Sequence, residues 1–261
     1  MAIGPSSDGF YYLLDDADNN LTLPPSFLTP HPGGLIALGG NDSIVGSEDA
    51  EIIFTNMGQD TISGGGGNDT LFGGKDRDVL KGDNGDDYLN GNIGQDLIFG
   101  GNGNDFIRGG KDEDLLIGGE GNDTLIGDMG GDALVGNAGR DLFVIRTDAA
   151  SLEQLRPDLI VDFDKSSDRI ALTGNLTEAD FILETFTQSI QELLTKYGID
   201  RNPEQARLEV FFIAGVDIDP NGDGIATGTQ IRIANTGQIF GYALNVSPGD
   251  VSGNFVNIPP V

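Results

Sequence analysis

The chain has 261 residues, and its 42 aspartates and glutamates against 14 lysines and arginines leave a net charge of −28 at neutral pH. So acidic a chain is repelled by nucleic acid and by anionic membrane surfaces, and neither is expected as a partner. With no cysteine there is no disulfide framework and no thiolate nucleophile or metal ligand, and no run approaches the eighteen apolar residues of a membrane span, so no membrane insertion is expected.

The opening, MAIGPSSDGFYYLLDDADNN, has neither a basic segment nor a long apolar run and does not read as a cleaved secretory leader. The aromatic residues and leucines of residues 1–36 read as an N-terminal cap, which a stack of repeats needs at its open end. Within it, DDADNN is either a solvated loop or a place for a cation. His31, the only histidine, reads as a loop residue between prolines.

From Ala37 the chain divides into twelve consecutive nine-residue units that end at Val144. GGGGNDTLF, GGNGNDFIR and GGEGNDTLI are three of them. Position six is acidic in all twelve: Asp42, Glu51, Asp60, Asp69, Asp78, Asp87, Asp96, Asp105, Asp114, Asp123, Asp132 and Asp141. Position eight is apolar in all twelve, from Ile44 to Phe143, and position one is glycine except at Ala37 and Thr55. A flexible Gly/Asp linker would not keep one position apolar twelve times. The apolar residue of each triplet at positions seven to nine fits a short strand with one face inward, and the glycines fit tight bends that need positive φ.

This nonapeptide resembles the G-G-x-G-x-D-x-U-x repeat of the RTX, or haemolysin-type calcium-binding, family, and the resemblance spans residues 37–144. It implies an all-β-dominated fold: a parallel β-roll with two nonapeptides per turn, six residues in each bend and three in each strand. It also implies calcium as the ligand. In that family one ion takes carbonyls two and four and the acid at six from one unit. Carbonyls one and three and the acid come from the unit two further on. Carried over, one site uses Gly65, Gly67, Asp69, Gly82, Asn84 and Asp87, and another Gly101, Gly103, Asp105, Gly118, Glu120 and Asp123. Equivalent positions add Asp60, Gly74, Asp76, Asp78, Asp96, Gly110, Asp112, Asp114, Asp132 and Asp141. Carboxylates eighteen residues apart would stack at roughly 4.8 Å, one strand spacing, and repel unless a cation lies between them. Calcium wants six to eight oxygens, so backbone carbonyls must join the acids. Twelve units allow at most ten such ions. The first units are degenerate, and the charge of −15 on residues 37–144 calls for seven or eight divalent ions.

Residues 145–261 read as a C-terminal β-rich domain that caps the roll and carries one or two helices. DLIVDFDKSSDRIAL (158–172) resembles the block that follows the repeats in RTX chains and reads as two closing strands. FTQSIQELLTKYG (186–198) places Ile190, Leu193, Leu194 and Tyr197 at helical spacing before Gly198 and reads as an amphipathic helix. LEVFFIAGVDI and TQIRIANTGQIFGYALNV read as strands, the latter two joined by an Asn-Thr-Gly hairpin. DIDPNGDG has the alternate-oxygen spacing of a calcium loop at Asp217, Asp219, Asn221 and Asp223, but Gly228 stands where the bidentate Glu belongs; a plain Asx/Gly turn is the other reading.

Two function classes follow. One is a secreted calcium-dependent structural or interaction protein, whose partners are calcium ions together with copies of itself, as oligomer or filament, or cell-surface polysaccharide. The other is an accessory or catalytic protein acting on extracellular polysaccharide. A metalloprotease H-E-x-x-H motif needs two histidines, no G-x-S-x-G elbow occurs, and the absence of tryptophan leaves little stacking platform for a glycan. The expectation is therefore a non-enzymatic protein, with the acidic C-terminal region resembling an uncleaved type I secretion signal. Positions seven and nine of the odd-numbered units carry Leu97, Phe99, Leu115, Ile117 and Val135. This outward apolar face is expected to be covered by residues 173–261 folding back or by a neighbouring subunit, while the even face reads as mixed.

Overall fold

The computed structural model of the chain describes residues 4–7, 9–146, 156–173, 176–189, 192, 225–234 and 238–258. Before the repeats come β1 (Gly4–Pro5), β2 (Tyr11–Leu13), β3 (Asn20–Thr22) and β4 (Gly34–Ile36). The repeats form β5 (Ser43–Val45), β6 (Ile52–Phe54), β7 (Thr61–Gly66), β8 (Thr70–Lys75), β9 (Val79–Asn84) and β10 (Tyr88–Ile93). They continue through β11 (Leu97–Asn102), β12 (Phe106–Lys111), β13 (Leu115–Gly121), β14 (Thr124–Met129), β15 (Ala133–Gly139) and β16 (Leu142–Ile145). Then follow β17 (Asp158–Ile160), β18 (Arg169–Thr173), β19 (Phe181–Ser189), β20 (Ile225–Ile233), β21 (Ile239–Leu244) and β22 (Phe255–Ile258). Helix is scarce among the described residues: a 3₁₀ turn at Glu178–Asp180, the single helical residue Glu192 and the four-residue α1, Pro248–Val251.

Alternate strands join alternate sheets. One sheet runs β1-β2-β4-β6-β8-β10-β12-β14-β16-β18-β22, the other β19-β20-β21-β17-β15-β13-β11-β9-β7-β5-β3. Within the repeats every pairing is parallel and eighteen residues apart, as in Ile98↔Leu116 and Leu89↔Ile107. This is the expected β-roll of two nonapeptides per turn, and it makes about six turns over residues 35–144.

The sheets face each other across the position-eight side chains. Ile62, Leu71, Leu80, Leu89, Ile98, Ile107, Leu116 and Leu125 are all at 0 % exposure. Each such burial contributes roughly 1.5–3 kcal/mol. The strands are longer than the three residues expected. From β7 to β14 they run six or seven, from position seven of one unit to position three of the next. The cause is that pairing resumes after a one-residue gap: Asn90↔Arg108 is followed by Asn92↔Gly110, and Gly91 and Gly109 at position one stand outside the register.

Both ends are closed by the same chain. At the N-terminal end β2 and β3 add rungs to the two sheets, and Leu14, Leu23, Leu28 and Leu35 continue the core beneath Tyr12 and Phe27. His31 belongs to this cap, with Nδ1 2.9 Å from the Gly9 carbonyl oxygen. At the other end the closing strands expected in 158–172 are β17 and β18, which pair in parallel with β15 and β16. The hairpin strands are β20 and β21, antiparallel with a bulge at Ile231/Arg232.

The amphipathic helix expected over 186–198 is corrected at its start. Phe186–Ser189 end β19, which pairs with β20 over its full nine residues, from Phe181↔Ile233 to Ser189↔Ile225. Ladder pairing along a nine-residue partner takes Phe186–Ser189 into the sheet, while Glu192, three residues on, is helical and donates its N–H to Ser189 Oγ at 3.2 Å. Ile190, Leu193, Leu194, Tyr197 and the loop at Asp217, Asp219, Asn221 and Asp223 lie outside the described residues, as does LEVFFIAGVDI.

The outward apolar face is covered within the chain. Ile117 and Val135 are buried at 4 % and 0 %, in one cluster with Leu159, Val161, Phe186, Ala226, Tyr242 and Leu244, while Leu97, Phe99 and Leu115 pack at its edge. Burial therefore deepens toward the C-terminal end, where β17 and β21 extend the sheet. The other face is not merely mixed. Phe54 stacks on Phe72 at 4.7 Å and Tyr88 on Phe106 at 5.4 Å between ring centroids, and the two pairs meet at Phe72 and Tyr88, 5.7 Å apart and tilted.

Candidate metal centre

Parallel register places the position-six acids in two ladders, one beside each sheet. One runs through Asp42, Asp60, Asp78, Asp96, Asp114 and Asp132, the other through Glu51, Asp69, Asp87, Asp105, Asp123 and Asp141. Each rung is fixed by the one before it. The backbone N–H of Asp87 donates to Asp105 Oδ1 at 2.9 Å, that of Asp105 to Asp123 Oδ1 at 2.8 Å, and that of Asp96 to Asp114 Oδ1 at 2.8 Å. One carboxylate oxygen is thereby satisfied. The other is not: Oδ2 of all eleven aspartates, from Asp42 to Asp141, is buried without a hydrogen-bond partner. A buried, unpaired anionic oxygen is costly, and eleven in register mean that the fold reserves this place for cations.

Position-one glycine makes the room. A Cβ built on Gly100 would stand 2.2 Å from Asp105 Oδ2 and 2.6 Å from the Gly118 carbonyl oxygen of the next turn. The same holds at Gly64 with Asp69 and Gly82, and at Gly109 with Asp114 and Gly127. These residues do not have positive φ, so space rather than bend geometry reserves the position for glycine. Positive φ belongs to positions two and four, at Gly65, Gly67, Gly74, Gly101, Gly103 and Gly110 and also at Asp76 and Asp112, both at φ 75°. This corrects the single reason expected for all the glycines.

The remaining carbonyls expected as ligands line the same bends. Those of Gly67, Asp76, Gly103 and Asp112 point at the backbone one turn on, where a Cβ at Gly85, Gly94, Gly121 or Gly130 would meet them within 2.0 Å. The Glu120 carbonyl accepts the Gly103 N–H at 2.8 Å, and Asn84 pairs with Gly66 across the ladder.

In the N-terminal units side chains of the protein take up places that are open elsewhere, although Oδ2 of Asp42 and Asp60 stays unpartnered. Glu51 takes the Ser47 N–H on Oε2 at 3.1 Å and the Ser47 hydroxyl on Oε1 at 2.5 Å. Thr55, standing for glycine, fills the place beside Asp60 and donates its hydroxyl to the Gly73 carbonyl at 2.7 Å. Ala37 brings a Cβ to position one of the first unit, and Asn19 caps Asp42 Oδ1 with its backbone N–H at 2.8 Å and its amide Nδ2 at 2.9 Å. DDADNN is thus neither idle nor a cation loop by itself, since Asp18 also accepts the Asn41 N–H. Open glycine cradles with an unpaired aspartate oxygen begin at Gly64. They form three consecutive pairs along one ladder, from Asp78 to Asp132, and four along the other, from Asp69 to Asp141.

Burial, followed by like charge from neighbouring rungs or, at Asp96, from Asp112, pushes these carboxyls far above their ordinary 3.8. They reach about 7 at Asp69, Asp96, Asp105 and Asp141, about 8 at Asp78 and about 10 at Asp114. The hydrogen bond from the preceding rung works in the opposite direction and does not compensate.

A family profile described as the RTX calcium-binding nonapeptide repeat (four copies) matches residues 35–62, 63–98, 81–116, 90–125 and 108–143. These are RTX repeats. Residues 35–143 therefore form a calcium-binding RTX module, and the unpaired oxygens and glycine cradles fit a hard, oxygen-seeking cation. A search of curated proteins found no match.

Two polar features of the RTX module are not apparent from the nonapeptide pattern. Position five of the even units forms a side-chain ladder. Asn68 Oδ1 accepts the Asp86 N–H at 3.0 Å, Asp86 Oδ1 that of Asn104 at 2.7 Å, Asn104 Oδ1 that of Asn122 at 3.0 Å, and Asn122 Oδ1 that of Arg140 at 3.1 Å. The recurring Asn before the Asp was the available signal. The other feature is that Asp158 and Asp168, outside the repeats, continue the two ladders; their Asp-x-apolar spacing matches positions six to eight.

Substituting the cradle separates it from the fold. Gly100→Ala and Asp105→Ala are each expected to raise the calcium concentration at the folding midpoint well above that of Asp42→Ala, whose unit carries the Ala37 side chain where the open cradles have glycine. Circular dichroism during a calcium titration measures this, and equal midpoints for Asp105→Ala and Asp42→Ala would contradict the cradle geometry.

Proposed function

We propose that this chain is a secreted, non-enzymatic structural or interaction protein that folds when it meets extracellular calcium. Its repeats take up about seven ions, each held by the six to eight oxygen donors that calcium requires. The observation that carries this is the run of seven aspartate pairs whose free oxygens face open glycine cradles. Seven divalent ions offset fourteen of the fifteen net negative charges of residues 37–144. RTX repeats are typical of secreted proteins, and millimolar calcium outside the cell suits sites of the extracellular class, which hold the ion at about 10⁻⁴–10⁻³ M.

The aromatic ladder on the outer face supports a surface role over a glycan-processing one. The Phe54 and Phe72 rings lie 2° from parallel, and Tyr88 and Phe106 lie 6° from parallel, so within each pair one face of each ring is taken by the other ring. Such a ridge suits packing against another protein surface, including a second copy, better than stacking on sugar rings. Equilibrium dialysis should count about seven ions in the repeats, and sedimentation velocity with electron microscopy in millimolar calcium should show assemblies that chelator disperses. A chain that binds no calcium, or that stays monomeric at every calcium concentration and turns over polysaccharide, would overturn the reading.

A further inference from the structure

The two ladders end differently beyond the last repeat. The Asp132 N–H donates to Asp158 Oδ1 at 3.2 Å, and the Asp141 N–H donates to Asp168 Oδ1 at 3.0 Å. Asp168 is then satisfied by protein, since its Oδ2 accepts the Asp164 N–H at 2.8 Å and its Oδ1 the Ser167 hydroxyl at 3.2 Å. Asp158 takes no further backbone or hydroxyl donor among the described residues, and its carboxyl lies within hydrogen-bonding reach of that of Asp132. The carboxylate below it, Asp132, is 0 % exposed and its Oδ2 is unpartnered. A Cβ on Gly127 would stand 2.2 Å from that oxygen, the same open cradle as in the repeats. Of the other acids beside the pair, Asp128 is held by Arg108 at 2.7 and 2.8 Å and by Arg146 at 2.7 Å, and Glu113 is paired with Arg156.

Two buried carboxylates in contact cannot both stay ionised without a proton or a cation between them, and the open place beside Gly127, which no side chain fills, suits the cation. We propose that Asp132 and Asp158 hold one calcium ion beyond those of the repeats, and that this ion ties the C-terminal strands to the roll. Asp158 keeps 7 % exposure, which leaves access for water to complete the coordination. The mechanical link is direct: β17 pairs with β15 on one side and with β21 on the other, where Asp158 lies opposite Gly241. Occupancy of this site is therefore coupled to docking of β19–β21. The other ladder, closed by Asp164 and Ser167, makes no such link.

The proposal rests on the calcium reading of the repeats, and calcium counting separates the two. Equilibrium dialysis of the full chain, of Asp158→Asn and of Asp168→Asn is expected to show one ion fewer per chain for Asp158→Asn and an unchanged count for Asp168→Asn. A full count in Asp158→Asn, or an equal loss in both variants, overturns this site while leaving the repeats intact. A wild-type chain that takes up no calcium overturns the reading beneath it. Should Asp158→Asn not fold in saturating calcium by circular dichroism, Asp158→Ser, which leaves room for a water in place of the carboxylate, is counted in its stead with the same two outcomes.

Discussion

In chelator at neutral pH, the chain is expected to lose most of the β signal of residues 37–144 and to regain it on addition of millimolar calcium. The reason is the mutual repulsion of the ladders. Adjacent rungs lie one strand spacing apart, roughly 4.8 Å, and two ionised carboxylates at that distance repel by about 3 kcal/mol at an effective dielectric constant of 20. A domain of this size is stable by about 5–15 kcal/mol, so a few ionised neighbours cancel the whole margin. The aspartates cannot relax outward, because each Oδ1 is tied to the backbone N–H of the rung before it. Loss of the cations therefore removes the fold rather than loosening one face of it. Far-ultraviolet circular dichroism with and without chelator measures the effect. A roll equally folded in both would show that the ladders are neutralised in some other way.

The second large effect is the recovery of that fold by acid in the absence of calcium. Burial first, and like charge second, raise Asp69, Asp96, Asp105 and Asp141 to about 7 and Asp78 to about 8, against 3.8 for the ordinary group. Between pH 3.8 and these values the folded chain keeps protons that the unfolded chain has released. Stability therefore falls as pH rises from about 4 to 7–8 and is recovered as pH falls back toward 4, with a slope of about 1.4 kcal/mol per pH unit for each group that differs. Calcium-free protein is expected to be folded near pH 5 and unfolded near pH 8. In calcium the neutral-pH fold is retained, and acid instead competes with the metal for the same oxygens. Circular dichroism of metal-free protein between pH 5 and pH 8 tests the sign, and a chain whose metal-free β content rises with pH would refute it.

Much of this site was legible in the eighteen letters of one repeat pair. Position eight announced the core because one inward side chain per short strand is all that two facing sheets need, and position six announced the ladders because eighteen residues make one turn. The cradle was harder to read. Glycine at position one looks the same in sequence as glycine at positions two and four, yet Gly100 is there for space and Gly101 for its φ of 118°. The altered N-terminal units were visible only as departures from pattern, at Ala37, Glu51 and Thr55. Their hydrogen bonds explain why those departures are compatible with the fold. Residues 186–189 misled for the opposite reason: four apolar residues at helical spacing follow Phe186, but the strand that captures it comes from residues 225–233, too distant in sequence for any local pattern to reveal.

Because alternate nonapeptides enter alternate sheets, the length of the roll is quantised. Duplicating eighteen residues within it adds one turn and returns the next unit to the same sheet, the same ladder and the same outer face. Duplicating nine exchanges the two sheets for everything downstream. The apolar seat now shared by Val135, Leu159 and Tyr242 would then continue the face that carries Phe54, Phe72, Tyr88 and Phe106, leaving Leu97 and Phe99 without their cover. The roll can thus grow or shrink by whole turns while keeping its ends, but a half-turn change rewrites which surface the protein presents.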